Sequence, residues 1–348
     1  MATLSQKRSV RWWLRRLSVL ALLALLVTGA AFQFLRSRLY FSYQHVPGLE
    51  RLRGTARQTT SGLKFPTIIG HRGTAEIGIR DGQLLGVDGQ PLRPGGAPLR
   101  IGNSAGAIDR ARAAGVKWIE LDLRVSSDGE LVVFHDESLF PRVRDASPGD
   151  QLSEYSSREL AAMALAVQPP QQVLFLQGVL SQFEKQDVVL VFDIKDKNAA
   201  GLLCDKLTEV FSRETLDPEQ IVVFGQFEEL NAFAKSRSES PQKDRTQLDR
   251  IQLGYTMLAS EPGSLRRVLF APSEILARAN QRQCRYLVLP ITYASRGLIE
   301  KATGAGLQVF VYGSDDTRDY HAMHAAGVSG FITDYPEAAM EFFTENRP

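Results

Sequence analysis

From Pro66 onward, short runs of β-branched and aliphatic residues alternate with stretches whose apolar side chains recur every three or four positions. The first pattern predicts buried strands and the second amphipathic helices. Eight runs read as strands: Thr67–Gly70, Trp118–Leu123, Val188–Ile194, Ile221–Phe224, Arg250–Gly254, Tyr286–Leu289, Gln308–Tyr312 and Gly330–Thr333. Helical patterns separate most of them, at Ser104–Ala114, Ala200–Ser212, Gln226–Ser236, Ser295–Ala305, Thr317–Ala326 and Pro336–Thr344. Strands that alternate with helices pair in parallel. Eight such units predict an α/β fold, a (β/α)8 barrel with its chemistry at the C-terminal strand ends. Arg237–Asp249 is polar and charged and reads as a solvated loop.

One segment breaks the alternation. Ser126-Ser127-Asp128-Gly129 follows the second strand and leads into the apolar Leu131–Phe134. Asp-Gly between apolar runs is a hairpin signal. A turn centred between Asp128 and Gly129 would bring His135 back beside Asp122, within about one residue of register.

A different pattern governs the N-terminus. Lys7, Arg8, Arg11, Arg15 and Arg16 precede Leu17–Leu35, 19 residues broken only by Ser18, Thr28 and Gln33 among polar side chains. At 1.5 Å per residue this run can cross a hydrocarbon core of about 30 Å. It shows no polar face, which a buried soluble helix would have. Five cations before the run, against Arg36 and Arg38 after it, predict a cytoplasmic N-terminus. The expectation is a single-pass anchor with the rest of the chain on the outer side: periplasm, cell exterior or an organelle lumen. Gly29, Ala30 and Ala31 supply the competing reading, a cleaved signal peptide and a secreted protein. The chain thus divides into a basic segment at 1–16, an apolar segment at 17–35, a linker at 36–65 and a barrel at 66–348.

Charge sharpens this division. The net charge is +2, yet residues 1–38 hold seven Lys/Arg and no acid, leaving 34 bases against 39 acids in the remainder. A mildly acidic globule argues against nucleic-acid binding, which needs positive charge on the folded domain. Two cysteines, Cys204 and Cys284, make neither a disulfide framework nor a zinc site and read as free, partly buried thiols.

Charged residues interrupt the apolar strands where they end. The first strand runs into His71-Arg72-Gly73, the second carries Glu120-Leu121-Asp122, the hairpin returns with His135-Asp136, and the third ends Asp193-Ile194-Lys195. Alternation puts Glu120 with Asp122, and Asp193 with Lys195, on one face. Three converging carboxylates repel unless a cation sits among them, and hard oxygen ligands select Mg²⁺ or Ca²⁺. Arg72 and Lys195 suit a phosphate. Two imidazoles can serve as general acid and base near neutral pH. Together these groups describe phosphodiester cleavage.

In these motifs, in their order and spacing, and in Phe331-Ile332-Thr333-Asp334-Tyr335-Pro336, the chain resembles the glycerophosphodiester phosphodiesterase family over roughly Pro66–Phe343. The resemblance implies a TIM barrel and a divalent metal on Glu120, Asp122 and Asp193. It implies His71 and His135 as the acid/base pair, Arg72 on the phosphate and Lys195 on the metal-bound anion. Such enzymes cut a phosphate ester to release an alcohol, with a neighbouring glycerol hydroxyl as a first nucleophile. The expected partners are a small phosphodiester or a lysolipid, and the membrane through the N-terminal segment.

Four features depart from the family's pattern. Ile101-Gly102-Asn103-Ser104 stands where a Pro-Glu-Asn-Thr is usual, so Gly102 replaces a Glu. Between Gly73 and Asn103 lie 29 residues, an insert near 74–102 with turn signals at Arg80-Asp81-Gly82 and Val87-Asp88-Gly89. It follows the first strand and would rise over the mouth as a lid. Tyr312 takes the place of a Trp that lines the glycerol site, so the pocket is altered around a kept centre. Asp193 is one methylene shorter than the more usual Glu. Two alternatives compete with this reading: a sphingomyelinase or lysophospholipase D type of lipid phosphodiesterase, and a non-catalytic membrane-tethered barrel that binds phosphorylated ligands. Trp118 reads as interior packing, and His321 with His324 as an ordinary helix face.

Overall fold

The computed structural model describes residues 65–74, 79–80, 83–84, 101–167, 169–258, 260 and 263–346. All of them belong to one compact unit, Arg51–Pro348. The expected basic segment, apolar anchor and, apart from Phe65, linker lie outside the described residues. Among the described residues no helix is long and apolar enough to cross a membrane.

Eight parallel strands close a barrel: β1 (Thr67–Gly70), β2 (Trp118–Val125), β3 (Val189–Ile194), β4 (Ile221–Gly225), β5 (Gln252–Thr256), β6 (Tyr286–Pro290), β7 (Gln308–Tyr312) and β8 (Gly330–Thr333). Each pairs with the next, and β1 closes the ring by pairing both β8, with Ile68 opposite Phe331, and β2, with Gly70 opposite Ile119. The inward positions carry the barrel core, which includes Ile69, Val191, Phe224, Val288, Phe310 and Ile332. Trp118 packs edge-on against Tyr286 and Phe310, 5.8 and 6.0 Å between ring centroids, as interior packing. Gly254 faces the same space. A Cβ there would come 2.5 Å from the Phe224 ring, so the missing side chain makes room for that aromatic.

Helices cover the outside: α1 (Ala105–Ala113), α2 (Ser157–Ala162), α3 (Leu176–Gln182), α4 (Ala199–Ser212), α5 (Phe227–Glu239), α6 (Gln242–Leu248), α7 (Ser264–Phe270), α8 (Pro272–Gln281), α9 (Arg296–Gly304), α10 (Thr317–Ala325) and α11 (Pro336–Glu345). In α4, Leu203, Leu207 and Val210 recur at helical spacing and are all buried. Cys204 and Cys284 are buried and free, as their isolation in the sequence suggested.

The structure departs from the sequence pattern in three places. Residues 237–249 are not a loop: α5 runs to Glu239 and α6 follows at Gln242–Leu248. Leu248 is its only buried residue and is fully buried, so no apolar period marks the helix in the sequence. An Arg237–Asp249 ion pair at 3.3 Å and donation from Arg245 to the Ser240 carbonyl tie it down. Second, the hairpin after β2 has a three-residue loop, Ser127–Gly129, with Gly129 at φ 88°. Leu123 therefore faces Val133, and the Phe134 N–H donates to the Asp122 carbonyl, one residue off the expected register. Third, the stretch between this hairpin and β3 builds a satellite core under α2, in which Val132, Phe134, Leu139, Leu160 and Leu165 pack on Ile101. Within the insert, Ile79–Arg80 and Gln83–Leu84 pair antiparallel, while Asp81 and Gly82 of the first turn signal lie outside the described residues. The second turn signal lies outside them as well.

Candidate active site

All eight barrel strands run the same way, so their C-terminal ends share one mouth. His71 and Arg72 follow β1, Glu120 and Asp122 lie on β2, Asp193 is on β3 with Lys195 just after it, and Asp334 follows β8. His135 comes back to this end on the hairpin, which turns at Gly129.

Asp122 is the centre of the cluster and is fully buried. Its Oδ2 accepts from Asn103 Nδ2 at 2.7 Å and lies 3.0 Å from Arg72 Nε, while Lys195 Nζ lies 3.0 Å from its Oδ1. Lys195 also donates to Asp193 Oδ2 at 2.5 Å. Burial opposes the Asp122 charge, but Lys195 and Arg72 outweigh it and hold the carboxyl well below its usual range. Glu120 goes the other way. Burial, then the charge of Asp122, pushes it up to about 8. Burial works against the Lys195 ammonium, yet Asp122 and Asp193 overcome it and raise its pKa. One ligand oxygen from each of Glu120, Asp122 and Asp193 lies within 4.8 Å of the others.

Backbone geometry aims Arg72. Its φ of 53° is left-handed, which costs a non-glycine residue about 1–3 kcal/mol. In that conformation its N–H donates to Glu120 Oε2 at 2.8 Å while its side chain reaches Asp122. Asn103 is likewise left-handed at φ 58°. Its N–H donates to the Arg72 carbonyl at 2.8 Å, and its Oδ1 accepts the Asp122 N–H at 3.1 Å. Ser104 then caps α1, accepting from the Ala107 N–H. Gly102 lies against Arg72: a Cβ there would come 2.7 Å from Arg72 Cβ. A side chain at 102 would therefore require Arg72 or the backbone at 102 to shift.

Each histidine is held through Nδ1 by an aspartate. His71 Nδ1 is 2.6 Å from Asp334 Oδ1, and its Nε2 is 4.0 Å from Glu120 Oε2. His135 Nδ1 is 2.7 Å from Asp136 Oδ1, whose other oxygen is taken by Arg142. The two imidazoles nevertheless shift in opposite directions. Burial disfavours the charge on both. At His71 the attraction of Asp334 prevails and the pKa rises, whereas at His135 burial prevails and the pKa falls. Behind Asp334, the Asp315 carboxylate accepts the Asp334 N–H at 3.2 Å and the Thr333 hydroxyl.

The structure therefore gathers His71, Arg72, Glu120, Asp122, His135, Asp193 and Lys195 at one mouth. Tyr312 ends β7 at the same mouth and donates from its hydroxyl to the Met257 carbonyl at 2.9 Å. Asn103, Asp136, Arg142 and Asp334 were not singled out as site residues. The inward parity of Ile332 on β8, continued two positions, points to Asp334. Asn103 offers no comparable signal, because its role depends on a left-handed backbone.

The model of the glycerophosphoryl diester phosphodiesterase family matches residues 94–338. The chain belongs to that family. It is a phosphoric diester hydrolase of the kind that acts on glycerophosphodiesters. A human (Homo sapiens) lysophospholipase D is 24% identical over 263 residues, covering 69% of this chain and 81% of the relative. Solved structures agree on the fold. A glycerophosphodiester phosphodiesterase from Parabacteroides distasonis is 15% identical with a TM-score of 0.58, covering 82% of this chain and 100% of that one. A phosphodiesterase from Oleispira antarctica, solved with the product sn-glycerol-3-phosphate, is 18% identical with a TM-score of 0.56 over 80% of this chain and 97% of its own.

Proposed function

We propose that this family member hydrolyses glycerophosphodiesters with a divalent cation, Mg²⁺ or Ca²⁺, held by Glu120, Asp122 and Asp193. Lysophospholipid-type diesters are among its substrates. The observation that carries the metal reading is the carboxylate triad itself. Three acids within 4.8 Å, one of them driven up to about 8, make a donor set of hard oxygens short of positive charge. Asp122 Oδ1 is buried with no aligned hydrogen-bond donor, which also fits a cation ligand. When bound, the cation supplies Lewis-acid polarisation of a phosphoryl oxygen.

The chain's own residues supply the rest. Arg72 and Lys195 bind the phosphate oxygens and balance charge as the phosphorus becomes five-coordinate. Asp334 and Asp136 fix His71 and His135 through Nδ1, which leaves each Nε2 as the working nitrogen. One imidazole takes the proton from the attacking hydroxyl, whether water or a neighbouring glycerol hydroxyl. The other delivers a proton to the leaving alcohol oxygen as its bond to phosphorus breaks. Tyr312, in the usual place of a Trp, narrows the alcohol side of the pocket less than an indole would. The reading of lysolipid substrates takes support from this change and from the human lysophospholipase D relative.

The N-terminal segment belongs to the same proposal: a single-pass anchor with the catalytic barrel on the outer side, or a secreted barrel if residues 17–35 are cleaved. Sequencing the mature N-terminus decides between them, since a start near residue 31 means cleavage. The activity is tested by assaying the full chain in mild detergent against glycerophosphocholine and lysophosphatidylcholine, after EDTA and after adding back Mg²⁺ or Ca²⁺. Undiminished turnover in EDTA removes the metal from the proposal. Turnover of neither compound with metal present removes the substrates.

A further inference from the structure

Helix α7 has its polarity inside out. It follows β5 and therefore stands at the catalytic mouth. Its fully buried positions among those described are polar, Ser264 and Arg267 at 1% and 6% exposed, and Val268 is half-buried. Its outer side is apolar: Leu265 and Leu269, one helical turn apart, are 40% and 60% exposed. Scattered exposed leucines are ordinary. Here, however, only one other large apolar side chain among the described residues is comparably exposed, Phe65, and it precedes β1 at the opposite end of the barrel. A soluble surface helix places its leucines inward, so a helix that buries an arginine and a serine to turn leucines outward is built for an apolar partner.

The helix is also coupled to the pocket. The segment leading into it starts at Met257, whose carbonyl accepts the Tyr312 hydroxyl and whose N–H donates to the Val288 carbonyl. Ser264 Oγ then donates to the Leu258 carbonyl at 2.8 Å and seats the first turn. A load on α7 thus bears directly on the wall of the substrate pocket.

We infer that α7 docks the mouth onto a phospholipid surface, with Leu265 and Leu269 entering the boundary between headgroups and acyl chains. Arg266 lies between them in sequence, is exposed, and pairs with Glu274 of α8 at 2.9 Å, so the leucines rather than a free charge make the contact. The docking deepens the proposed function and rests on it for the claim that an amphiphilic diester is the substrate. Two leucines bind a bilayer weakly by themselves, and stable attachment takes a second signal. The apolar run at 17–35 is such a signal. The 30 residues 36–65 have a contour length of up to about 100 Å, a reach sufficient for the mouth to meet the surface. The helix therefore orients the enzyme and delivers substrate from the lipid phase.

The test uses the full chain in phosphatidylcholine–phosphatidylglycerol vesicles. Cys204 and Cys284 are 1% and 7% exposed, so Leu269→Cys offers one accessible thiol for an environment-sensitive dye. Glu300→Cys, on the exposed side of α9, is the control. The dye at 269 is expected to shift to the blue and to be quenched when the acyl chains are brominated, and the dye at 300 is not. Equal behaviour at both positions overturns the inference. So does a blue shift at 269 that follows protein density and ignores bromination, because that assigns the face to a second copy of the chain. In parallel, the double variant Leu265→Gln/Leu269→Gln should lower kcat/KM for vesicle-borne lysophosphatidylcholine about 10-fold and leave soluble glycerophosphocholine turnover unchanged. Equal loss on both substrates also overturns it. If the unaltered enzyme turns over neither compound, the proposed function fails while the fluorescence still decides the docking.

Discussion

Asp122 carries more of the site than any other side chain, since it meets Asn103, Arg72 and Lys195 with no access to water. Removing its charge would take from buried Arg72 and Lys195 the counter-charge they share. Asp122→Asn is therefore expected to abolish turnover and to lower the midpoint of thermal unfolding. Glu120→Gln should separate these effects. A carboxyl raised from 4.5 to about 8 in the folded state penalises folding once it is ionised in the unfolded chain. The penalty begins above about pH 4.5 and is complete above about 8. In EDTA at pH 8, Glu120→Gln should thus melt at a higher temperature than the unaltered protein, yet be inactive with metal. The histidines predict a second pH dependence. His135, shifted down, is neutral at lower pH than an ordinary imidazole, and His71, shifted up, keeps its proton to higher pH. The kcat/KM profile should be a bell whose acid limb lies below about 6.5 and whose alkaline limb lies above it. His71→Ala or His135→Ala should each cost at least about 10²-fold in kcat, and each should remove its own limb. The seven charged and imidazole candidate residues were legible because each interrupts an apolar strand or follows directly on its end. Asn103 was not, because a left-handed backbone conformation leaves no mark in a residue pattern.

Elements were legible where an apolar period was present and silent where one residue did the anchoring. β1, β7 and β8 fall where the alternation put them, and the other barrel strands differ by a residue or two at their ends. α6 was hidden because Leu248 alone is buried within a charged stretch. That makes a sharp expectation: Leu248→Ala should destabilise the barrel by about 2–5 kcal/mol in urea unfolding. The neighbouring Lys243→Ala, on the polar side, should change it by less than about 0.5 kcal/mol. The hairpin was foreseen, but its register turned on whether the loop has two residues or three, and Gly129 in a left-handed conformation settles on three. The satellite core under α2 has no mark in the sequence because its members come from many short segments, none long enough to show a period.

At the scale of the whole molecule, closure explains why so much chemistry came from so little sequence. Parallel strands force every C-terminal end to one mouth, so residues 263 positions apart, His71 and Asp334, meet at 2.6 Å across the β1–β8 seam. Asp334 then sits at the join of the ring. Asp334→Asn is expected to lower kcat about 10- to 100-fold with KM nearly unchanged, and to bring the alkaline limb of the pH profile down toward an ordinary imidazole. A purely structural loss would lower the amount of folded enzyme and leave the limb in place.

The contact between Gly102 and Arg72 also has a consequence for how this sequence can change. A Cβ at 102 would lie only 2.7 Å from Arg72 Cβ, so a side chain there requires one of the two segments to shift. The two positions are therefore epistatic: substituting Glu at 102 alone closes off the arrangement that positions the arginine over Asp122. A lineage that regains an acid at 102 must move Arg72 first or at the same time. Relatives that combine Arg at 72 with Glu at 102 are expected to hold these two backbone segments farther apart than they lie here, which a comparison of Cα–Cα distances checks.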